Sequence, residues 1–593
     1  MTRRITSRIR ASIGRVGTSV VAATILVGGL LAGGATAEPS RHHRGFDEPY
    51  SRFAPPGTRL RPARPEEAGL NTAEIATMLE KLRGFLEPQG EGRPLYPGAV
   101  VLAARDGKVV VREAMGMAVR YADKEGTELP ADQQVPMTTD TIFDMASVSK
   151  LFTSIVVMQQ VERGLVDLEA PVASYLPEFA ANGKDDITVR QLLTHTSGLP
   201  SWMRLWRPYP DKEARIAAVL QVTPQAPPDT RYTYSDLNLI TLGVLVEKVT
   251  GEPLDVLVRE GITEPLGMSD TGYNPPESTL HRIAPTEFES DPPRGMVRGS
   301  VHDENAWSLG GVAGHAGIFS TADDMAKLCQ AILAGGRYQG ARVLGKDSVK
   351  AMLTDYNAAF PGHAHGLGFD LDQRFYMGAL TGPSTAGHTG FTGTSVVIDP
   401  LSRSFVVLLT NRVHPDRAWS SVNVARRVVA DGIARALDVT PRRGRTAWFS
   451  GTRDGSTATL TVPVTFRGGD TRLAFDMFVD SETTDVLTLE LSRDDGATWE
   501  PVPFVAWSRG RLSEHDDGRI FGFTGRHWQH GFAELDEKAG AGLLRWRYVT
   551  DPEFQGRGVY LDGISVVDRR GVLLDGEREP ERFTPVGWSL ATR

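Results

Sequence analysis

The chain has 593 residues, a formal net charge of −8 and an apolar fraction of 40%. This length and composition are typical of a globular protein with room for more than one domain, and the acidic balance excludes the broad basic surface that nucleic-acid binding needs. A single cysteine, Cys329, excludes an intrachain disulfide, and its place in an apolar helical pattern predicts that it is buried.

The first 64 residues predict an export signal followed by a linker. Five arginines between Arg3 and Arg15 precede an apolar stretch over 19–34, and Ala35-Thr36-Ala37 is typical of a cleavage site. The stretch is short and glycine-rich for a membrane span, so we expect cleavage and no stable membrane anchor. Residues 1–37 are therefore a predicted signal peptide and 38–64 a predicted linker. The mature protein is expected to be secreted, with association with the cell wall left open.

The most informative motif is Ser147-Val148-Ser149-Lys150, which begins an apolar helical pattern that runs to about Val161. Residues three apart share a helix face, so Ser147 Oγ and Lys150 Nζ can meet. A serine hydroxyl needs a nearby base to become a nucleophile, and a desolvated lysine can lose its proton well below its usual pKa. At a helix start, the free N–H of Ser147 can also stabilise an oxyanion.

Two later segments are typical of residues that line a substrate cleft. Tyr234-Ser235-Asp236 lies where a turn-rich stretch enters a predicted helix over 239–249. His388-Thr389-Gly390 precedes two strand-like runs, 395–400 and 405–411, which predict a hairpin. Small residues beside an edge strand let a ligand approach closely, and an N–H there can be a second oxyanion donor.

In this order the three elements resemble those of the serine β-lactamase and penicillin-binding-protein superfamily, in particular its class C β-lactamase, DD-peptidase and esterase branch. The resemblance extends over about residues 60–437. It implies an α+β hydrolase domain over 65–437, in which helices and a helical subdomain flank an antiparallel sheet. It also implies Ser147 as the acylated nucleophile, Lys150 as the group that accepts or relays its proton, and Tyr234 as the general base that passes a proton to the leaving group. The implied oxyanion hole is formed by the N–H groups of Ser147 and Phe391.

Two positions depart from the family pattern. Residue 236 is Asp where an Asn usually donates to the substrate, and an ionised Asp cannot donate. Residue 388 is His where a Lys usually holds a substrate carboxylate, which a neutral imidazole does poorly. Asp236, His388, Thr389 and Gly390 remain the expected substrate-binding residues, but an efficient β-lactamase is disfavoured.

Other candidates have weaker patterns. His195, His302 and His315 lack the spacing of any zinc motif, so no metal and no other cofactor is expected. Trp202 and Trp206 either line an apolar substrate pocket or pack their own loop onto the domain.

A second predicted linker, residues 438–446, precedes a change of pattern. The runs 458–464, 473–479 and 486–492 alternate apolar and polar residues, which predicts an all-β sandwich over 447–593. The stretches 491–499, 544–551 and 556–564 resemble the jelly-roll module that follows secreted immune-inhibitor-A-type metallopeptidases, which implies an accessory domain. Asp551 and Asp562 have the chemistry to hold calcium, although solvated turns are the preferred explanation.

The leading hypothesis is a secreted serine hydrolase that acts through a Ser147 acyl-enzyme on a small-molecule ester or a peptide of D-amino-acid or cell-wall type. A penicillin-binding DD-carboxypeptidase or a β-lactamase is the alternative within this class. The alternative of another class is a non-catalytic cell-wall binding or sensor protein, or one in which the C-terminal domain serves adhesion. The partners expected are the substrate and a cell-wall polymer, and the oligomeric state is left open.

Overall fold

The computed structural model describes residues 53–88, 92–535 and 538–592. The chain divides into two compact units, of which the first ends at Asp438 and the second begins at Val439. The predicted signal peptide, residues 1–37, lies outside the described residues. Within the described ranges, no helix combines the length and the apolar character needed to cross a membrane.

The first unit combines one large sheet with helices on both of its faces. Its strands are β1 (Arg61–Pro62), β2 (Gly98–Arg105), β3 (Lys108–Val119), β4 (Val135–Pro136), β5 (Phe143–Asp144), β6 (Gly272–Tyr273), β7 (Phe288–Ser290), β8 (Pro293–Met296), β9 (Ile318–Ser320), β10 (Arg337–Tyr338), β11 (Ala341–Arg342), β12 (Asp370–Leu371), β13 (Ala386–Thr389), β14 (Ser395–Asp399) and β15 (Ser404–Thr410). Its helices are α1 (Thr72–Gly84), α2 (Ser149–Glu162), α3 (Val189–Leu193), α4 (Lys212–Leu220), α5 (Asp236–Thr250), α6 (Leu254–Val258), α7 (Glu264–Leu266), α8 (Glu304–Ser308), α9 (Ala322–Leu333), α10 (Lys346–Met352), α11 (Arg374–Met377) and α12 (Asn423–Ala436).

The large sheet has the strand order β1-β3-β2-β15-β14-β13-β12, with β4 added beside β3. Apart from the parallel pair β1–β3, its neighbouring strands are antiparallel, and the predicted hairpin is β14–β15. Side chains that alternate along β2 enter two different cores. Val100 and Leu102 pack with α2 and α9, whereas Val101 and Ala103 pack with α1 and α12. The sheet is therefore buried on both faces, and the predicted α+β fold is confirmed.

The end of the predicted 38–64 linker belongs to this sheet. The N–H of Ala54 donates to the carbonyl of Leu333 at 2.7 Å, and Arg61 and Pro62 pair with β3. The expectation of a linker through residue 64 is therefore wrong for its described part. A two-residue strand gives too short an alternation to stand out among the prolines and arginines around it. Cys329, on α9, is fully buried as predicted.

The second unit is all β, as predicted. Its strands are β16 (Ala447–Phe449), β17 (Thr457–Phe466), β18 (Thr471–Asp480), β19 (Val486–Ser492), β20 (Glu500–Pro501), β21 (Phe504–Ser508), β22 (Arg511–His515), β23 (Arg519–Phe521), β24 (Gln529–Leu535), β25 (Gly540–Val549), β26 (Gly558–Asp568), β27 (Gly571–Asp575), β28 (Thr584–Val586) and β29 (Ser589–Ala591). They form two antiparallel sheets, one around β18 and β26 and one around β17, β19 and β25. Alternate residues of both sheets, with Trp546 fully buried among them, form one apolar core.

The second predicted linker, residues 438–446, also has a fixed place. Asp562 accepts the N–H groups of Arg442 and Arg443 at 2.6 and 2.7 Å, and the indole of Trp528 donates to the carbonyl of Thr440. Most of this stretch is therefore part of the second unit. The sequence of this stretch has no apolar periodicity, because it is held by hydrogen bonds and not by buried side chains. Its composition alone therefore indicated a linker.

The crossing of α1 and α12 gives a stability prediction. A Cβ added at Gly432 would lie 2.6 Å from Cβ, Cγ and Sδ of Met78, whereas one added at Gly84 meets nothing within 4 Å. We expect Gly432→Ala to lower the free energy of unfolding by about 1–3 kcal/mol through overpacking. Gly84→Ala should be neutral or stabilise by up to about 1 kcal/mol, since alanine is the better helix former. Calorimetric unfolding of the full chain measures both, and equal transitions for the two variants would contradict this packing.

Candidate active site

Ser147 lies on a 3-10 turn, Ala146–Val148, between β5 and α2. The predicted helix thus begins at Ser149, and the serine precedes it. Ala146 has a φ of +46°, a conformation uncommon for a residue with a Cβ. Asp144 holds the turn in place, because its buried carboxylate accepts the N–H of Ala146 at 2.8 Å and the N–H of His302 at 2.6 Å.

The ammonium of Lys150 is the centre of the site. Nζ lies 2.9 Å from Ser147 Oγ, 2.8 Å from Asp236 Oδ1 and 3.3 Å from the carbonyl oxygen of His315, and the side chain is 1% exposed. Burial on its own lowers the pKa of Lys150, but the Asp236 carboxylate and Tyr234 outweigh it and hold that pKa above its usual value. The expectation that Lys150 loses its proton easily is therefore wrong.

Tyr234 is held against this ammonium by the loop that enters α5. Its ring centroid lies 4.8 Å from Lys150 Nζ. Burial raises the pKa of Tyr234, so the resting group is the neutral phenol. His195 positions the loop: its Nδ1 accepts the N–H of Ser235 at 3.1 Å, and its ring centroid lies 4.7 Å from that of Tyr234.

The third segment begins at the end of β13. The N–H of Gly390 donates to the carbonyl of Thr394, and that of Gly393 to the carbonyl of Gly390, so Phe391 lies at the second position of a turn, with its N–H outside the turn's own bonds. A Cβ on Gly390 would lie 2.5 Å from the carbonyl oxygen of Met145. Only glycine therefore allows this turn to approach the nucleophile so closely.

His388 and Thr389 lie on β13 beside this turn. His388 Nδ1 donates to the carbonyl of Thr389 at 2.8 Å, and burial lowers the pKa of His388 to about 3, so the imidazole is neutral. Its Nε2 has no hydrogen-bond partner in the part of the chain that the structure describes. The imidazole thus contributes no positive charge where the family pattern usually has a lysine.

Arg426, on the buried side of α12, is a supporting residue that the motifs did not reveal. Its Nη2 donates to the carbonyls of Gly390 and Thr394 at 2.6 and 2.9 Å. Burial lowers the pKa of Arg426 to about 9, which still leaves it charged at neutral pH. The sequence shows an arginine on the apolar face of a helix. This pattern indicates a buried charge but does not predict which carbonyl groups the guanidinium binds.

A second missed residue is Asp303, which caps α8 by accepting the N–H of Ala306 at 2.8 Å. His315 Nε2 donates to Asp303 Oδ1 at 2.8 Å. Potential ligand atoms of Asp236, Asp303 and His315 all lie within 4.8 Å of one another. One oxygen of each carboxylate is already paired within the protein, Asp236 Oδ1 with Lys150 and Asp303 Oδ1 with His315.

Glu287, Glu289 and His302 form a second group of potential ligands. The carboxylate of Glu287 is ion-paired with the guanidinium of Arg417, and that of Glu289 with Arg294 at 3.2 Å. The carboxylates of these two groups are therefore already paired with basic side chains, while a third group, Glu482, Asp485 and Asp551, lies in the second unit.

Two clefts meet at the nucleophile, and both are lined by Ser147, Tyr234 and Phe391. The first, which we call the acidic cleft, has a volume of about 640 Å³ and is also lined by Trp202, Trp206, Asp236, Glu287, Asp303 and Glu304. The second, the His388 cleft, has a volume of about 680 Å³ and is also lined by Tyr232, Asp370, His388, Thr389, Gly390 and Arg426. All the predicted site residues therefore border one continuous region around Ser147 or, as with Lys150, lie directly beneath it.

Comparison with known proteins gives the family. The beta-lactamase family model matches residues 84–431. A protein of Escherichia coli K12 named "Putative D-alanyl-D-alanine carboxypeptidase" is 33% identical over 387 residues, which are 59% of this chain and 85% of that protein. A protein of the same name from Salmonella typhi is 32% identical, with 63% of this chain and 90% of that protein covered.

Solved structures that are similar to this chain include a penicillin-binding protein homolog from Caulobacter crescentus. It is 24% identical with a TM-score of 0.48, and the match covers 61% of this chain and 98% of that one. A family VIII carboxylesterase is 23% identical with a TM-score of 0.47, covering 62% and 99%. On the family model and the sequence relatives, the chain belongs to the beta-lactamase family of serine hydrolases.

Proposed function

We propose that the protein is a secreted hydrolase that forms an acyl-enzyme at Ser147 Oγ from an ester or from a peptide of D-amino-acid type. The observation that carries this proposal is that Lys150 Nζ lies 2.9 Å from Ser147 Oγ and 4.8 Å from the centroid of the Tyr234 ring, so that the three side chains meet at one point. A serine so placed at the junction of two clefts has a polarising cation, a proton carrier and space for both halves of a substrate.

The protonation states of Lys150 and Tyr234 favour a proton relay over a mechanism in which one of them is already deprotonated and acts as the base. Lys150 stays an ammonium beside Asp236, and Tyr234 stays a phenol. As Ser147 Oγ bonds to the carbonyl carbon, its proton passes to Tyr234 Oη while the Tyr234 proton passes to the leaving group. The acyl bond to the leaving group breaks, and no net proton is gained or lost. Lys150 stabilises the negative charge that develops on both oxygens during this exchange.

The developing oxyanion needs its own donors. The N–H of Ser147 precedes the first hydrogen bond of its turn, which runs from Val148 to Met145, and the N–H of Phe391 lies outside the bonds of its turn. These two groups are the oxyanion hole in this proposal. A water that takes the place of the leaving group then hydrolyses the acyl-enzyme by the same relay in reverse.

The names of the relatives and the His388 cleft support the substrate class of this proposal. The shared name of the 32–33% identical relatives supports a peptide that ends in D-alanine. The neutral His388 argues against strong capture of a β-lactam carboxylate. An ester or D-amino-acid peptide is therefore preferred over a penicillin.

The ends of the chain complete the proposal. Residues 1–37 would direct export, and the β-sandwich would be a jelly-roll accessory domain of the immune-inhibitor-A type that holds the enzyme at a wall polymer. Its separate apolar core supports an independently folded module.

Labelling with a fluorophosphonate tests the nucleophile. We expect one adduct per chain in the wild type, seen by intact mass spectrometry, and none in Ser147→Ala, because the relay serves only that hydroxyl. The control Ser278→Ala, on an exposed turn, should label like the wild type. A penicillin should leave no stable adduct. An adduct of equal yield in Ser147→Ala would contradict the assignment of Ser147.

The pH dependence of the same labelling tests the ion pair. Asp236→Asn removes the charge that holds the pKa of Lys150 up, while the burial that lowers it remains, so that pKa should fall by about 1–3 pH units. The labelling rate of the variant should then show an ionisation at a lower pH than any in the wild type. Asp347→Asn, whose side chain is 98% exposed, is the charge-matched control. Identical profiles for Asp236→Asn and the wild type would refute the role of the pair.

A further inference from the structure

The two clefts at Ser147 have opposite charge. Seven carboxylate side chains and three basic ones line the acidic cleft. One carboxylate and two guanidinium groups line the His388 cleft. A substrate that spans the nucleophile therefore meets the excess of carboxylates on one side, where a cationic group is favoured over an anionic one.

The negative charge of the acidic cleft comes closest to the nucleophile at Asp236 and Asp303. Their carboxylate oxygens lie within 4.8 Å of each other. Since Lys150 Nζ is 2.9 Å from Ser147 Oγ and 2.8 Å from Asp236 Oδ1, that carboxylate oxygen is at most about 6 Å from the nucleophile. A group bound between the two carboxylates is therefore a near neighbour of the scissile bond.

Each of the two carboxylates can still accept a hydrogen bond from a ligand. The contacts with Lys150 and His315 use Oδ1 of Asp236 and Oδ1 of Asp303, and the two side chains remain 18% and 24% exposed. Burial raises the pKa of Asp303, but His315 and the N–H of Ala306 together hold it below its usual value, so Asp303 is ionised at neutral pH. Two acceptor-only groups thus face the cleft.

We propose that Asp236 and Asp303 bind the free α-ammonium group of an aminoacyl ester or amide, so that the enzyme acts on substrates with an unblocked amino terminus at the scissile residue. This inference rests on the proposed acyl transfer at Ser147 and names its substrate class.

The geometry suits an α-ammonium. The nucleophile approaches a carbonyl carbon to about 3–3.5 Å, and an α-nitrogen lies about 2.5 Å from that carbon, so it reaches the region of the two carboxylates. An N-acylated substrate would instead bring a carbonyl oxygen toward two acceptors, which costs the desolvation of all three groups without a hydrogen bond in return. The replacement of the usual Asn by Asp236 therefore changes the preferred substrate group from an acceptor to a donor.

Protection of Ser147 from a fluorophosphonate tests this choice without knowledge of the natural leaving group. The competing probes are D-alaninamide and L-alaninamide, each compared with its N-acetyl derivative. We expect a free-amine probe to slow labelling at a concentration at least about tenfold below that of its N-acetyl derivative, because only the former pairs with the carboxylates. The advantage should shrink as salt is added.

Asp303→Asn supplies the decisive comparison, because asparagine caps a helix as well as aspartate does and the fold should persist. The free-amine advantage should fall at least several-fold in this variant and stay unchanged in Asp347→Asn, which removes a charge from a residue that lines neither cleft. Equal protection by free and N-acetylated probes, or an advantage that survives Asp303→Asn and high salt, would overturn the inference while leaving Ser147 labelling intact. A wild type that is not labelled at Ser147 would overturn the proposed function itself, and the inference with it.

Discussion

The buried ammonium of Lys150 is the interaction on which the site depends. An ammonium removed from water costs several kcal/mol unless acceptors surround it. Here the acceptors are Asp236, the hydroxyl of Ser147 and the carbonyl of His315, which come from α5, the turn before α2 and the loop before β9. These three segments must dock on one another before the charge is satisfied, so completing this core and assembling the reactive centre are the same event.

The sheet supplies the fixed frame for that docking. Because β2 and β15 are buried on both faces, neither can shift its register without exposing one of two apolar cores. The turn at Gly390 is tied to this frame by Arg426, whose guanidinium binds two of its carbonyls, and by the hydroxyl of Thr394, which donates to the carbonyl of Met145. The two oxyanion donors of the proposed mechanism therefore belong to segments that hold each other in place.

Local patterns in the sequence predicted much of this arrangement. The spacing of Ser147 and Lys150 predicted their contact, because it depends only on helix geometry, and the alternating runs after residue 457 predicted the β-sandwich. Asp144 could not be found in this way, because it binds the N–H of His302 far away in sequence, and Asp303 could not, because its contact with His315 joins two loops without a periodic pattern. The pKa of Lys150 was misjudged because burial can be inferred from the apolar run around it, whereas the opposing charge of Asp236 comes from α5, 86 residues later in the chain.

The carboxylate of Asp144 joins the N–H of Ala146, one residue before the nucleophile, to the N–H of His302, one residue before Asp303. One buried side chain therefore sets the distance between the serine and the loop that carries the acidic group. A connection of this kind leaves little freedom for the cleft to adapt to each new ligand. The two walls are ordered when the chain folds, so a ligand that matches their spacing binds without the entropic cost of ordering the loop. A ligand that does not match cannot gain affinity by rearranging the loop.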